Sequence, residues 1–208
     1  MKPDSLLHGI VINADQRASR RNPDRVPTAL AELNGHSMLL PFERTTGDEI
    51  QGLTDCPDTA VAVVLRLTRS GLWRIGLGIG TVETPLAAST RAARGQAYLE
   101  ARQAIERAGR VPCGVAVRGP GAEPAEAALW LLTTLAAQRS GAGWELADLL
   151  AGGLNQSEAA ARLGISPSAV SQRASRAHLT EIEAGARLVS GLLTSALSLS
   201  EASARVMG

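Results

Sequence analysis

The segment Asn155–Ala177 constrains the fold most, because it contains the signals that begin and end two short helices. Asn155 is a good N-cap, and Glu158 follows three residues later, where a capping box needs a carboxylate. Gly164 can take the left-handed conformation of a sharp turn, and Ser166 can cap a second helix behind it. The pattern predicts two helices packed at an angle on either side of Gly164.

The second of these helices, predicted over Pro167–Arg176, has an apolar and a polar face. Val170, Ala174 and Ala177 recur at helical spacing and are expected to face inward. The opposite face is small and polar, which suits the DNA major groove, where Gln can bond adenine bidentately and Ser can pair with several base edges. The predicted base-reading residues are Ser168, Ser171, Gln172 and Ser175. The predicted phosphate-binding residues are Arg162, Arg173 and Arg176.

The stretch LNQSEAAARLGISPSAVSQRASRA resembles the helix-turn-helix of many bacterial regulators and sigma-factor-like domains. It follows their pattern Q-x-E-x-A-x-x-L-G-I-S-x-x-A-V-S almost throughout. The resemblance implies double-stranded DNA as a partner, and a homodimer would let paired recognition helices read two half-sites. The alternative is a helical hairpin that does not bind DNA. The acidic residues Glu145, Asp148 and Glu158 favour that alternative, because they offset the local arginines.

Two apolar segments flank the helix-turn-helix, which we predict over residues 143–178. Pro124–Gln138 predicts a buried or dimer-facing helix, too short for a membrane span. Thr180–Arg205 is too apolar for a solvated surface helix, so residues 179–205 are expected to pack on the first helix or on a second subunit. Residues 121–208 therefore predict an all-α domain.

The first 120 residues alternate between strand and helix patterns and predict a separate α/β domain. Their order is βαββαβ followed by αβ, which fits a ferredoxin-like core. Arg118–Gly121 then breaks the pattern and marks the expected boundary, so the predicted class is α+β. The predicted elements are a strand at His8–Asp15, a helix at Pro23–Asn34, strands at Ser37–Arg44 and Glu49–Leu53, a helix at Pro57–Arg69, a strand at Trp73–Thr81, a helix at Arg94–Ala108 and a strand at Val111–Val117.

The strand Trp73–Thr81 has an unusual alternation. Its isoleucines and leucine point one way, whereas Gly76, Gly78 and Gly80 point the other. Glycine weakens a strand, so three glycines on one face predict the close approach of another backbone or of a ligand.

Carboxylates end the first strand and occupy the hairpin between the next two. Asp15, Asp48 and Glu49 can converge at one edge of the predicted sheet, where hard oxygen ligands suit Mg²⁺. Arg20 can add a phosphate contact. This layout resembles the palm of class III nucleotide cyclases and diguanylate cyclases, which implies that Asp15 and Asp48 hold metal, with Glu49 in support. The turn reads TTGDEI rather than the double-glycine acidic signature, and ordinary turn chemistry also accounts for these residues.

A resemblance across the whole chain rests on DQRASR (15–20), GDEIQGL (47–53), RIGLGIG (74–80) and GQAYLEARQAI (95–105), followed by the helix-turn-helix. These segments resemble the SatD family of bacterial proteins, which is described as DNA-binding or regulatory. Ala14 stands where the family pattern has glycine, whereas Asp15, Ser19 and Arg20 are retained. The resemblance implies an acidic N-terminal domain joined to a regulator, and it supplies no ligand.

Composition narrows the functional classes further. The formal net charge is +1, so any DNA contact must come from a local surface or from dimerisation. Cys56 and Cys113 are isolated and predict free thiols. With no membrane span and no signal-peptide pattern, a cytoplasmic location is expected.

No catalytic nucleophile set can be assigned, and three hypotheses remain. The first is a dimeric DNA-binding regulator whose N-terminal domain senses a nucleotide or another anionic small molecule. The second is a cyclase-like enzyme that acts on a nucleoside triphosphate with Mg²⁺. The third is a dimeric interaction module without catalysis.

Overall fold

The computed structural model describes residues 7–207, with side chains to residue 204, as a mixed α/β structure. Within that range a five-stranded sheet is combined with eight helices. None of these helices has the length and apolarity needed to cross a membrane. The elements are β1 (Leu7–Gln16), α1 (Val26–Leu33), β2 (Leu40–Arg44), β3 (Glu49–Thr54), α2 (Pro57–Thr68), β4 (Trp73–Val82), α3 (Gln96–Ala108), β5 (Val115–Arg118), α4 (Glu123–Ala137), α5 (Gly141–Ala151), α6 (Gln156–Leu163), α7 (Pro167–Arg176) and α8 (Leu179–Met207).

The sheet has the strand order β2-β3-β1-β4-β5. The first four strands are antiparallel to their neighbours, and only β4 and β5 are parallel. The chain leaves β1 through α1 and returns as β2, so that β3 lies between them. It then leaves β3 through α2 and returns as β4, on the far side of β1. Two strand–helix–strand units are therefore interleaved, and α3 adds β5 at the edge.

One face of the sheet is covered by helices from both halves of the chain. Ile10 and Ile12 of β1 and Leu77 of β4 are fully buried on this face. The same apolar cluster includes Leu129 of α4 and Leu193 of α8, which are also fully buried. The main core thus takes side chains from both sides of the boundary that we predicted at residues 118–121.

The other face of β4 lies directly against α3. A Cβ at Gly76 would lie 2.7 Å from the Cα of Ile105, and one at Gly80 would lie 2.8 Å from the backbone nitrogen of Ala97. The three glycines therefore allow the close approach of the α3 backbone. This is one of the two alternatives predicted for this strand, the other being a ligand. The small residues Ala97, Ala101 and Ala104 of α3 are fully buried at this contact.

Helices α5, α6 and α7 surround a smaller core of their own. Leu146, Ala159, Ala160 and Val170 are its buried residues, and Ile165 packs against them from the turn before α7. Both α4 and α8, which flank these helices in sequence, pack on the sheet and on each other. The last helix was predicted to pack either on the helix at 124–138 or on a second subunit, and in the structure α8 packs against α4.

Two predicted strands are longer than those observed. Val111–Gly114 forms a turn instead of extending β5, and the N–H of Gly114 donates to the carbonyl of Val111 at 3.0 Å. Gly114 has a φ of 70°, which a strand does not allow. Similarly, β2 begins at Leu40 and not at Ser37, and its pairing with β3 is irregular between Leu40 and Glu43.

Candidate nucleic-acid interface and acidic edge

The α6–turn–α7 segment has the local geometry that its capping residues predict. The side chain of Asn155 accepts a hydrogen bond from the N–H of Glu158 at 3.0 Å, and the carboxylate of Glu158 accepts one from the N–H of Asn155 at 2.8 Å. Gly164 has a φ of 65° and a ψ of 32°, the left-handed conformation of a helix end. The side chain of Ser166 caps α7 by accepting from the N–H of Ala169 at 3.2 Å. These bonds fix the angle at which α7 leaves α6.

The outer face of α7 is polar and open to solvent. The four side chains predicted to read bases are all exposed, whereas Val170 on the opposite side is fully buried. Ser168 is held by Ser166, with 2.9 Å between their hydroxyl oxygens. The remaining three project without a protein partner within the described chain, so their hydrogen-bonding groups are available to a ligand.

The three arginines that we expected at phosphates fall into two groups. Arg162 and Arg176 are exposed, and the part of the chain that the structure describes has no carboxylate within 4 Å of either. Arg173 is only partly exposed and lies 3.5 Å from the carboxylate of Glu145 on α5. Arg173 is therefore partly engaged within the protein, because α5 and α7 pack side by side.

The acidic residues near this surface are largely engaged elsewhere. The carboxylate of Glu158 is part of the capping box, and that of Asp148 lies 2.7 Å from Arg69 of α2. Glu145 is neutralised by Arg173. Arg69 and Arg173 thus pair with two of the three carboxylates, and Glu158 keeps its charge within the capping box. Arg162 and Arg176 have no carboxylate partner among the described residues.

Trp144 joins α5 to the rest of the molecule, a role that the sequence pattern did not predict. The guanidinium carbon of Arg139 lies 4.5 Å from the centre of the Trp144 rings, and that of Arg69 lies 5.5 Å away. Both distances permit cation–π attraction. Arg139 also donates to the carbonyl of Ala177 at 3.0 Å, so it connects the ends of α4 and α7. The sequence signal that could have indicated this role is the position of Trp144 directly after two glycines at the start of α5.

At the edge of the sheet, the register brings the predicted acidic residues together. Asp15 of β1 pairs directly with Glu49 of β3 and with Arg74 of β4, and the N–H of Gln16 donates to the carbonyl of Asp48 at 3.3 Å. Arg74 lies 3.2 Å from the carboxylate of Asp15. The sequence pattern does not predict a role for Arg74 at this edge, because its proximity to Asp15 depends on the order of the strands and not on sequence spacing.

The pKa values of both strand carboxyls are raised. Burial raises the pKa of Asp15, and the negative charge of Asp48 adds to the increase, against the opposing effect of Arg74. Burial likewise raises the pKa of Glu49, although the hydroxyl of Thr45 donates to its carboxylate at 3.1 Å and partly opposes the increase. The charged forms of both carboxyls are therefore less favourable here than in water, and a cation or hydrogen-bond donor beside them would favour those charged forms.

These acidic residues do not form a compact metal site. Across the described residues, no group of three or more His, Cys, Asp or Glu side chains is arranged to hold a metal ion. One guanidinium already occupies the position beside Asp15. Arg20 is exposed in the loop after β1, and no described carboxylate is paired with it. The expected Mg²⁺ ligands thus converge only in part.

Comparisons of the chain with protein-family models, with curated proteins and with solved structures find no match.

Proposed function

We propose that the protein is a DNA-binding transcription regulator that reads double-stranded DNA with α7 of a helix-turn-helix. The observation that carries the proposal is the exposed polar face of α7, held at a fixed angle by the capping box of α6 and the left-handed Gly164. Such a face offers Gln172 and Ser171 to base edges, while the buried Val170 anchors the helix from behind.

The charges near α7 support a modest, local electrostatic contribution to DNA binding. Arg162 and Arg176 flank the polar face without carboxylate partners among the described residues. Two phosphate contacts per copy give a weak dependence on salt, because each released counterion contributes about one unit to the logarithmic slope. A homodimer would double the number of contacts and would present two copies of α7 to two half-sites. We include a homodimer in the proposal for that reason.

The N-terminal region completes the proposal as a ligand-sensing domain. Its strand order, with two interleaved strand–helix–strand units, supports a ferredoxin-like core. The raised pKa values at Asp15 and Glu49 support a site that receives a cation or a donor group. Together with the helix-turn-helix, these features agree with the regulatory role implied by the resemblance to the SatD family. The cyclase-like alternative has less support, because a compact metal site is not found in residues 7–204.

The test is retention of fragmented genomic DNA from a high-GC bacterium, sequenced after binding at two salt concentrations. We expect one short, palindromic motif to be enriched. Replacing Gln172 with Ala should then weaken binding to that motif by about 1–3 kcal/mol and relax the preference at one base pair. Gln103→Ala on the exposed face of α3 is the matched control and should change nothing.

Two outcomes would contradict the proposal. Equal retention of all fragments, or none, would make the helical region an interaction module without sequence-specific binding. A motif that Gln172→Ala binds with unchanged affinity and preference would remove α7 as the reading element.

A further inference from the structure

A polar cleft of about 620 Å³ lies on the sheet face that carries α3, beside the acidic edge, with which it shares Glu49. Its floor is formed by β1 and β3, one wall by α3, and its mouth by the hairpin before β3 and the loop before α3. Its volume falls within the range of sites that bind small metabolites. Amides, hydroxyls and charged groups make up most of its lining, so the cleft is suited to a polar ligand.

The floor of the cleft is organised by a chain of hydrogen bonds with one direction. The hydroxyl of Thr90 donates to Oε1 of Gln51 at 3.2 Å, and Nε2 of Gln51 donates to Oδ1 of Asn13 at 2.8 Å. Thr90 has used its only proton, so the hydroxyl of Tyr98, at 3.3 Å, must donate to Thr90. Each step fixes the next, and the chain ends at Oδ1 of Asn13, which leaves Nδ2 of the same amide as a donor.

That terminal amide group is a donor without an acceptor. Asn13 is 3 % exposed, and no described residue accepts a hydrogen bond from its Nδ2. Among the described side chains, no fully enclosed polar atom lacks a partner. Nδ2 of Asn13 therefore opens into the cleft that this residue lines. Nδ2 of Asn13 can therefore donate to a ligand in the cleft that brings a carbonyl or another acceptor.

Two carboxylates, those of Glu49 and Glu106, and two arginines also line the cleft. Glu49 is diagonal to Asn13 in the antiparallel register, so the two residues lie about 7–8 Å apart on the same face of the sheet. Its carboxylate can accept from an N–H of the same ligand. Arg91 and Arg102 are exposed at the mouth, and Arg102 has only a long 3.9 Å contact to Glu106. Guanidinium groups placed in this way suit a phosphate.

We propose that this cleft binds a nucleoside monophosphate whose base presents adjacent N–H and C=O groups. Asn13 donates to the carbonyl, Glu49 accepts from the N–H, and Arg102 contacts the phosphate. Bases of the guanine and uracil type have this edge, whereas adenine and cytosine present the reverse pattern. The inference deepens the ligand-sensing part of the proposed function and is independent of DNA binding.

The first experiment is isothermal titration of the full chain, without DNA, with GMP, UMP, AMP, CMP and ribose 5-phosphate. We expect GMP or UMP to bind about tenfold more tightly than AMP and CMP, because a mismatched edge leaves the Asn13 donor unpaired. No binding by any of the four nucleotides at millimolar concentration, or equal binding of all five compounds, would overturn the inference.

Variants then locate the binding. Arg102→Ala removes an exposed side chain and should raise the dissociation constant at least about tenfold for GMP or UMP, since a charge-assisted bond is lost. Arg110→Ala, an exposed arginine beyond the end of the same helix and outside the cleft, is the matched control. Asn13→Asp replaces the free donor with an acceptor and should abolish the base preference, with thermal unfolding used to check that the variant is folded.

Two further readouts separate the possible failures. If Asp15→Asn removes binding while Arg102→Ala and Asn13→Asp leave it unchanged, the ligand lies at the acidic edge and the cleft assignment is wrong. Retention of DNA by the same preparations tests the helix-turn-helix by itself. A protein that binds DNA but no nucleotide would therefore refute only the proposal that the cleft binds a nucleotide.

Discussion

Replacing Gly78 with Ala tests whether the three glycines of β4 hold α3 in place. A Cβ at this position would lie 2.7 Å from the Cα of Ala101, and closer still to the backbone nitrogen of Ala101 and the carbonyl oxygen of Ala97. These are helix backbone atoms, so no side-chain rotation can relieve the clash. The added methyl group therefore requires α3 to move away from the sheet.

The size of the effect follows from that overlap. Carbon atoms pack at about 3.5–4.0 Å, so α3 must shift by about 1 Å or the strand must bend. Overpacking of this kind costs typically about 1–3 kcal/mol, and the rigid contact places Gly78→Ala near the upper end, at about 3 kcal/mol. For a chain of this length, each kcal/mol lowers Tm by about 2–4 °C, so we expect a decrease of about 6–12 °C.

The assay is thermal and urea unfolding monitored by circular dichroism. Gly191→Ala is the control, because Gly191 lies in α8 and a Cβ added there would meet no neighbouring atom within 4 Å. Alanine at this helical position should stabilise the protein by about 0.5–1 kcal/mol. The two substitutions add the same atom and should act in opposite directions. A Gly78→Ala variant as stable as the unmodified protein would show that α3 does not rest on this strand as described.

Three other substitutions test separate parts of the structure. Asn155→Ala should cost about 1 kcal/mol in urea unfolding through loss of the capping box, whereas its exposed neighbour Gln156→Ala should cost far less. Arg107→Ala leaves the buried carboxylate of Glu126 without its 2.7 Å partner, so it should lower the free energy of unfolding by about 3–5 kcal/mol. A smaller loss when the same substitution is made in the Glu126→Gln variant would confirm that the two side chains are coupled. Because burial raises the pKa of Glu49, its protonated form stabilises the fold below its ordinary pKa of 4.5, and this stability is lost as pH rises through the raised value. Glu49→Gln should therefore gain stability relative to the unmodified protein as pH increases from 4 to 8, and parallel pH profiles would refute the assignment.

The helix boundaries of α6 and α7 were predictable because they depend on local chemistry. Asn155 and Glu158 cap one helix within four residues, and Ser166 with Pro167 begins the next. Such interactions are complete within one turn of chain, so no knowledge of the remaining structure is needed. The exposed polar face of α7 follows from the same periodicity.

Features that depend on strand register could not be predicted in the same way. The position of Asp15 at a strand end can be read from the sequence. Its partner Arg74 is 59 residues away, so the sequence pattern does not predict their contact. The bond between Asn13 and Gln51 likewise joins positions 38 residues apart. A shift of one strand by one residue would turn its side chains to the opposite face of the sheet, which is why spacing alone does not reveal these pairs.

Helices α5–α7 and the sheet depend on each other more closely than the predicted two-domain division suggests. Three of the four buried residues in the core of α5–α7 are small: Ala159, Ala160 and Val170. A core of that size buries too little apolar surface to stabilise residues 141–178 alone. The contacts of Trp144 with the two arginines on α2 and after α4 therefore supply part of its stability, and α8 continues from α7 directly into the main core. A change in the sheet that moves α4 or α8 is therefore expected to change the orientation of α7 as well.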